Sequence, residues 1–91
     1  MTKLTICFTF SGGKGHAYVN IIPSNYGIYK QDFSGCHDFQ LPAGTYSILI
    51  DGVSPSGGST DISVTADSQA TQTQTISTTG YFSTSFTVII P

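Results

Sequence analysis

Leu4, Ile6, Phe8 and Phe10 alternate with Thr5, Cys7 and Thr9, a period of two that sets four large apolar side chains on one face of a strand. Ser11-Gly12-Gly13-Lys14-Gly15 breaks this run and predicts a flexible hairpin loop. The next run, His16 to Ile22, puts Ala17, Val19 and Ile21 on one side and His16, Tyr18, Asn20 and Ile22 on the other, and Pro23-Ser24-Asn25 ends it. Gly27 to Phe33 predicts a weaker third strand, with Tyr29 and Phe33 on one face and Ile28, Lys30 and Asp32 on the other. Ser34-Gly35 predicts a turn and Cys36 to Gln40 a short strand. In Leu41-Pro42-Ala43-Gly44 the proline presets φ and the glycine permits a positive one, which predicts a second turn.

From Thr45 to Ile50 the pattern alternates again, Tyr46, Ile48 and Ile50 against Thr45, Ser47 and Leu49. A loop of Gly, Ser and Pro, Asp51 to Ser59, leads to Thr60–Ala66, where Ile62, Val64 and Ala66 align before Asp67-Ser68 turns the chain. Ala70 to Ile76 alternates but is almost wholly polar, the pattern of an edge strand whose glutamines face water or a partner. After Ser77-Thr78-Thr79-Gly80, Phe82, Phe86, Val88 and Ile90 share one face, opposite Tyr81, Ser83, Ser85, Thr87 and Ile89. No segment keeps helical spacing over three turns. Short strands at intervals of about 8–12 residues, bounded by Gly, Pro, Ser or Asp, predict an all-β fold: an antiparallel β-sandwich of seven or eight strands with Greek-key connections. The 91 residues have surface enough for one core, so 1–91 reads as a single domain.

Composition narrows the partners. Charged residues are 9% of the chain, three lysines against five aspartates with no Arg and no Glu, where ordinary domains carry about a quarter. Ser, Thr, Gln, Asn and Gly supply the polar surface instead, a composition of extracytoplasmic or surface-associated proteins. The net charge of −2 and the lack of Arg leave no phosphate-neutralising patch, so no nucleic acid is expected as a partner. No apolar run is long enough to insert in a membrane as a helix, and Lys3 to Phe10 alternates where a signal peptide needs a continuous apolar stretch.

HAYVNI, GCHDFQLPAGTYSILIDG and DISVTADSQATQTQTI, taken in order, resemble the carboxypeptidase regulatory-like domain of the broader transthyretin-like (prealbumin-like) sandwich group. Ala17 and Val19 fit that group's first strand motif; Gly35, Phe39, Leu41, Pro42, Gly44, Thr45 and Tyr46 fit its central segment; Ile62, Val64 and Ala66 fit its closing pair. The resemblance spans roughly residues 4 to 76, and Tyr81 to Ile90 reads as an added edge strand. It implies a transthyretin-like or immunoglobulin-like sandwich that is a noncatalytic accessory, scaffolding or binding module. The group includes hydroxyisourate hydrolase, which uses conserved His and Arg and a C-terminal Tyr-Arg-Gly-Ser; a chain without Arg, ending in Val88-Ile89-Ile90-Pro91, does not match it.

Residue chemistry adds little that is catalytic. Cys36-His37-Asp38 groups three metal-ligating residue types, yet strand neighbours point to opposite faces, so His37 leaves the side shared by Cys36 and Asp38 and a zinc site falls short of its four ligands. Gly12-Gly13-Lys14-Gly15 lacks the spacing and the following helix of a phosphate loop. No metal, cofactor or catalytic residue is expected. Cys7 and Cys36 permit one disulfide if their strands are neighbours; two free thiols packed as small hydrophobes fit the same sequence. Two functions are compatible with these residues. One is a structural, assembly or protein-interaction module, partnered by another protein or by itself. The other is a small-ligand or carbohydrate-binding module that uses exposed Tyr26 and Tyr29, with Tyr18 and Tyr81, as stacking platforms.

Overall fold

The computed structural model describes residues 1–67, 69–77 and 80–91, so the expected turn at Ser68 and the loop residues Thr78 and Thr79 lie outside the described residues. Eight strands follow one another: β1 (Thr2–Ser11), β2 (His16–Ile22), β3 (Ile28–Gln31), β4 (Gly35–Leu41), β5 (Gly44–Ser54), β6 (Ser59–Ala66), β7 (Gln72–Ile76) and β8 (Gly80–Ile90). They form two four-stranded sheets, sheet A in the order β4-β1-β6-β7 and sheet B in the order β3-β2-β5-β8. All six pairings are antiparallel. The result is an eight-stranded sandwich in which β4 returns beside β1, and β5 beside β2, in Greek-key fashion. Among the described residues no helix is long and apolar enough to cross a membrane.

The period of two explains the layering. Leu4, Ile6 and Phe8 of β1 and Ile62, Val64 and Ala66 of β6 face Ala17, Val19 and Ile21 of β2 and Tyr46, Ile48 and Ile50 of β5, all buried in one core with Phe39, Leu41, Phe82, Phe86, Val88 and Ile90. β1 and β2 lie in different sheets, so their apolar sides meet across the core and the two strands do not pair. The Ser11–Gly15 segment is therefore an arch between sheets and not the expected hairpin loop. Gly12, at φ 89°, lets that arch pass close to the β5–β6 loop, where an added Cβ would stand 2.9 Å from Gly58 Cα.

The third strand is shorter than expected. Only Ile28–Gln31 pairs with β2, and Phe33, expected to share the face of Tyr29, lies beyond the strand at 56% exposure. Gln31 takes the inward place at 1% exposure because its amide is fully used: Nε2 donates to the carbonyls of Phe33 and Gly35, and Oε1 accepts from the Tyr29 hydroxyl.

The two open sides of the sandwich close differently. Between β3 and β4, Tyr29 stacks on His37 with centroids 4.1 Å apart, and Phe39 meets Tyr26, Tyr29 and His37 edge to face. Between β7 and β8, the amide of Gln72 donates to the Thr87 carbonyl at 2.9 Å, that of Gln69 donates to the Ile89 carbonyl, and Thr84 donates to Gln74. Within the run Ala70 to Ile76, Gln72–Ile76 is an edge strand as its polarity predicts, and Gln72 and Gln74 are exposed as expected while their amides also reach across the seam to β8.

Candidate functional site

The outward residues of sheet B fall into rows set by the register. One row reads Lys30, Tyr18, Asp51, Ser83 across β3, β2, β5 and β8; beside it Ile28, Asn20, Leu49, Ser85 run in parallel, and His16, Val53 and Tyr81 form the row on the other side. Tyr18, Ile22, Ile28, Leu49, Val53, Tyr81 and Ile89 all stand in solvent on this face, Tyr81 at 72%, Ile28 at 69% and Ile89 at 60% exposure. Of the other large apolar or aromatic side chains exposed among the described residues, Met1, Tyr26 and Phe33, none lies on a sheet face. The polar members hold the rings loosely in place. The Tyr81 hydroxyl is 3.4 Å from Asp51 Oδ1, Lys30 Nζ is 5.9 Å from the Tyr18 ring centre, and His16 packs edge-on to Tyr18 at 5.5 Å.

The four tyrosines expected to share one surface therefore divide. Tyr18 and Tyr81 reach the outer face of sheet B, two strands apart. Tyr26 and Tyr29 belong to the β3–β4 seam. The Tyr26 hydroxyl donates to the carbonyl of Gln40 at 2.9 Å and accepts from its N–H at 2.8 Å, taking the place a neighbouring strand would have on the edge of β4. Burial first, and the Asp32 carboxylate second, raise the Tyr29 phenol above its ordinary value. A depression of 310 Å³ beside Tyr26 is lined by Met1, Ser24, Asn25, Pro42 and Tyr46, but its phenols are spent on backbone, since Tyr46 donates to the Pro42 carbonyl at 2.7 Å and so closes the β4–β5 turn.

Cys7 lies opposite Cys36 in the β1–β4 register, and the two form a disulfide with Sγ–Sγ 2.03 Å on the outer face of sheet A. That settles the fate of Cys36-His37-Asp38: the cysteine is bonded, His37 stacks on Tyr29, and Asp38 accepts the Thr5 hydroxyl at 2.7 Å. Among the described residues no three His, Cys, Asp or Glu side chains converge to hold a metal ion. His16 and Lys14 share a 350 Å³ depression with Asp32, at the corner of the sheet B face.

Sequence reasoning named Tyr18 and Tyr81 but not Ile22, Ile28, Leu49, Val53 and Ile89. The outward phase of Ile22, Ile28, Leu49 and Ile89 was readable in each run separately, but Val53 fell in the expected Asp51 to Ser59 loop, whereas β5 continues to Ser54 because its ladder with β8 runs that far; only the sheet order unites the five. No family model, curated protein or solved structure matches the chain.

Proposed function

We propose that the chain is a noncatalytic interaction module that docks another protein on the outer face of sheet B. The observation that carries this is the concentration on one sheet face of Tyr18, Ile22, Ile28, Leu49, Val53, Tyr81 and Ile89, interleaved with Asn20, Asp51 and Ser83. Contiguous apolar exposure rimmed by polar groups marks interaction surfaces, and Tyr is enriched among the residues that dominate their energetics. The low charge favours a protein over a polyanion. Membership of the transthyretin-like group belongs to the same proposal, supported by LPAGTY standing at the β4–β5 turn with Tyr46 closing it.

The test is light scattering across a dilution series together with capture by the immobilised chain, for the wild type and for Leu49→Asp. The proposal expects association that Leu49→Asp abolishes while circular dichroism stays unchanged. A wild type that remains a monomer and captures no protein overturns it. A carbohydrate reading rests on Tyr18 and Tyr81 alone, two exposed rings flanking Asp51 as an acceptor for sugar hydroxyls. Signal on a glycan array that Tyr18→Ala and Tyr81→Ala each remove would favour it over the protein partner.

A further inference from the structure

The hydrogen-bonding phase of sheet A identifies which backbone groups its β7 edge offers. In an antiparallel pair, residues whose N–H and C=O point away from each other lie closest at Cα, near 4.5 Å against about 5.5 Å for the bonded pairs. Cys7 and Cys36 have Cα atoms 4.0 Å apart, so Cys7 directs its backbone groups toward β6. Two independent contacts agree. Gln40, of the same parity as Cys36, has both backbone groups free to meet Tyr26, and the Lys3 carbonyl, of the same parity as Cys7, accepts from Asp67 N–H on the β6 side. Cys7 is opposite Ser63, and Ser63 is opposite Thr73. Counting across, Ser63 bonds to β1, and Thr73 and Thr75 turn their N–H and C=O off the sheet.

The other edges are occupied or short. Gln40 on β4 is capped by Tyr26, Thr87 and Ile89 on β8 by glutamine amides, and β3 has only four residues. By contrast β7 is held ready as an extended template. Gln72 and Gln74 anchor it to β8, Thr75 donates to Asp61 at 2.7 Å, and residues 69–77 contain none of the charges or prolines that guard an exposed edge. Next to it on the outer face lies a 230 Å³ depression lined by Cys7, Thr9, Asp61, Ser63, Thr73 and Thr75. Edge pairing with a neighbouring pocket for alternate side chains is the arrangement by which a sheet recognises an extended peptide.

We propose that β7 binds an extended segment of a partner protein as a fifth strand of sheet A, with an Arg or Lys of that segment seated over Asp61. This is a surface separate from the outer face of sheet B. The cation follows from reach and charge. A residue paired with Thr75 is two strand spacings from Asp61, about 10 Å, which the long stems of Arg and Lys cross and short side chains do not. Thr75 engages only Oδ1 of Asp61, and Lys3, the lysine of this face, is at the far end of β1. A second copy of the chain fits less well. It would bring only its own uncharged Thr71–Ile76 beside Thr75, and pairing two five-residue strands covers far less than the roughly 1,200–2,000 Å² of a stable interface.

The test uses a blocked pentapeptide, acetyl-Thr-Val-Arg-Val-Thr-amide, and its counterpart with Ala for Arg, followed by amide shifts and hydrogen exchange. The expected result is perturbation and slowed exchange at Thr73 and Thr75, at least ten-fold weaker binding by the Ala peptide, and a similar loss in Asp61→Asn. Thr73→Pro removes one outward N–H and leaves the β6 ladder intact, so it should keep the strand circular dichroism and lose the peptide. If Thr73→Pro unfolds, Asp61→Asn decides alone: unchanged affinity overturns the proposal. So do the absence of any perturbation at millimolar peptide, a perturbation centred on β4 or sheet B, and protection of Thr73 that rises with the concentration of the chain alone.

Discussion

The outer faces of the two sheets have the same periodicity and opposite chemistry. On sheet A many of the outward side chains are short and tied in pairs: the Cys7–Cys36 disulfide joins β4 to β1, Asp38 accepts from Thr5, Asp61 accepts from Thr75, and Thr65 pairs with Thr71 at 2.9 Å. On sheet B seven of the outward side chains, Tyr18, Ile22, Ile28, Leu49, Val53, Tyr81 and Ile89, are large, apolar or aromatic, and exposed, among polar neighbours such as Asp51 and Ser83. Sheet A spends its outward positions on cross-strand ties that secure the fold, whereas sheet B leaves its outward positions available for contact. The alternation that builds the core is blind to this difference, which lies only in which residue types stand at the positions facing away from it.

If that division holds, substitutions at the cross-strand ties of sheet A should cost stability, and substitutions on the outer face of sheet B should cost docking on that face. The largest effect is expected from Cys7→Ser with Cys36→Ser. The bridge spans a separation of 29 residues, and losing it should cost about 3–4 kcal/mol from loop-closure entropy, read as a lower denaturant midpoint, with binding by sheet B unchanged once the chain is folded. Next is Gly52→Ala, which attacks the frame beneath the sheet B face. A Cβ at Gly52 would stand 2.2 Å from the His16 carbonyl oxygen and 2.8 Å from Phe82 Cζ, so β2 and β5 must part, at a cost of about 1–3 kcal/mol. It is the one change of the series expected to reduce both stability and docking on the outer face of sheet B. Asp61→Ala, which removes a single exposed tie to Thr75, should cost about 0.5–1 kcal/mol. Smallest in stability are Leu49→Ser and Tyr81→Ser, each within about 0.5 kcal/mol of wild type by chemical denaturation, although both should weaken association.

Much of the fold was legible because period-two runs bounded by Gly, Pro and Ser leave few alternatives to strands, and the inward residues of β1, β2, β6 and β8, with those of β5 as far as Ile50, follow from parity alone. The third strand shows where parity stops informing. Alternation continues through Phe33, but the ladder with β2 ends at Gln31, and burial there is decided by three hydrogen bonds to groups two to four residues away, which the apolar–polar pattern does not register. The candidate site was half legible. Tyr18 and Tyr81 are outward by parity, yet Tyr26 looks the same in sequence and is committed to the edge of β4, because its role depends on where the β2–β3 loop crosses that strand. Likewise the glutamines of β7 read as solvent-facing, and they are exposed, but their hydrogen bonds to β8 emerge only once that strand is placed across the seam.

The most direct test of the division between faces is site-specific photocrosslinking, with a photoreactive phenylalanine analogue at Leu49 on sheet B and, separately, at Thr5 on sheet A, exposed to extract of the protein's native cells. The account predicts discrete protein adducts from position 49 that excess unlabelled wild-type chain competes away, and none from position 5. Adducts from position 5 with none from position 49, or equal and non-competable labelling from both, would contradict it.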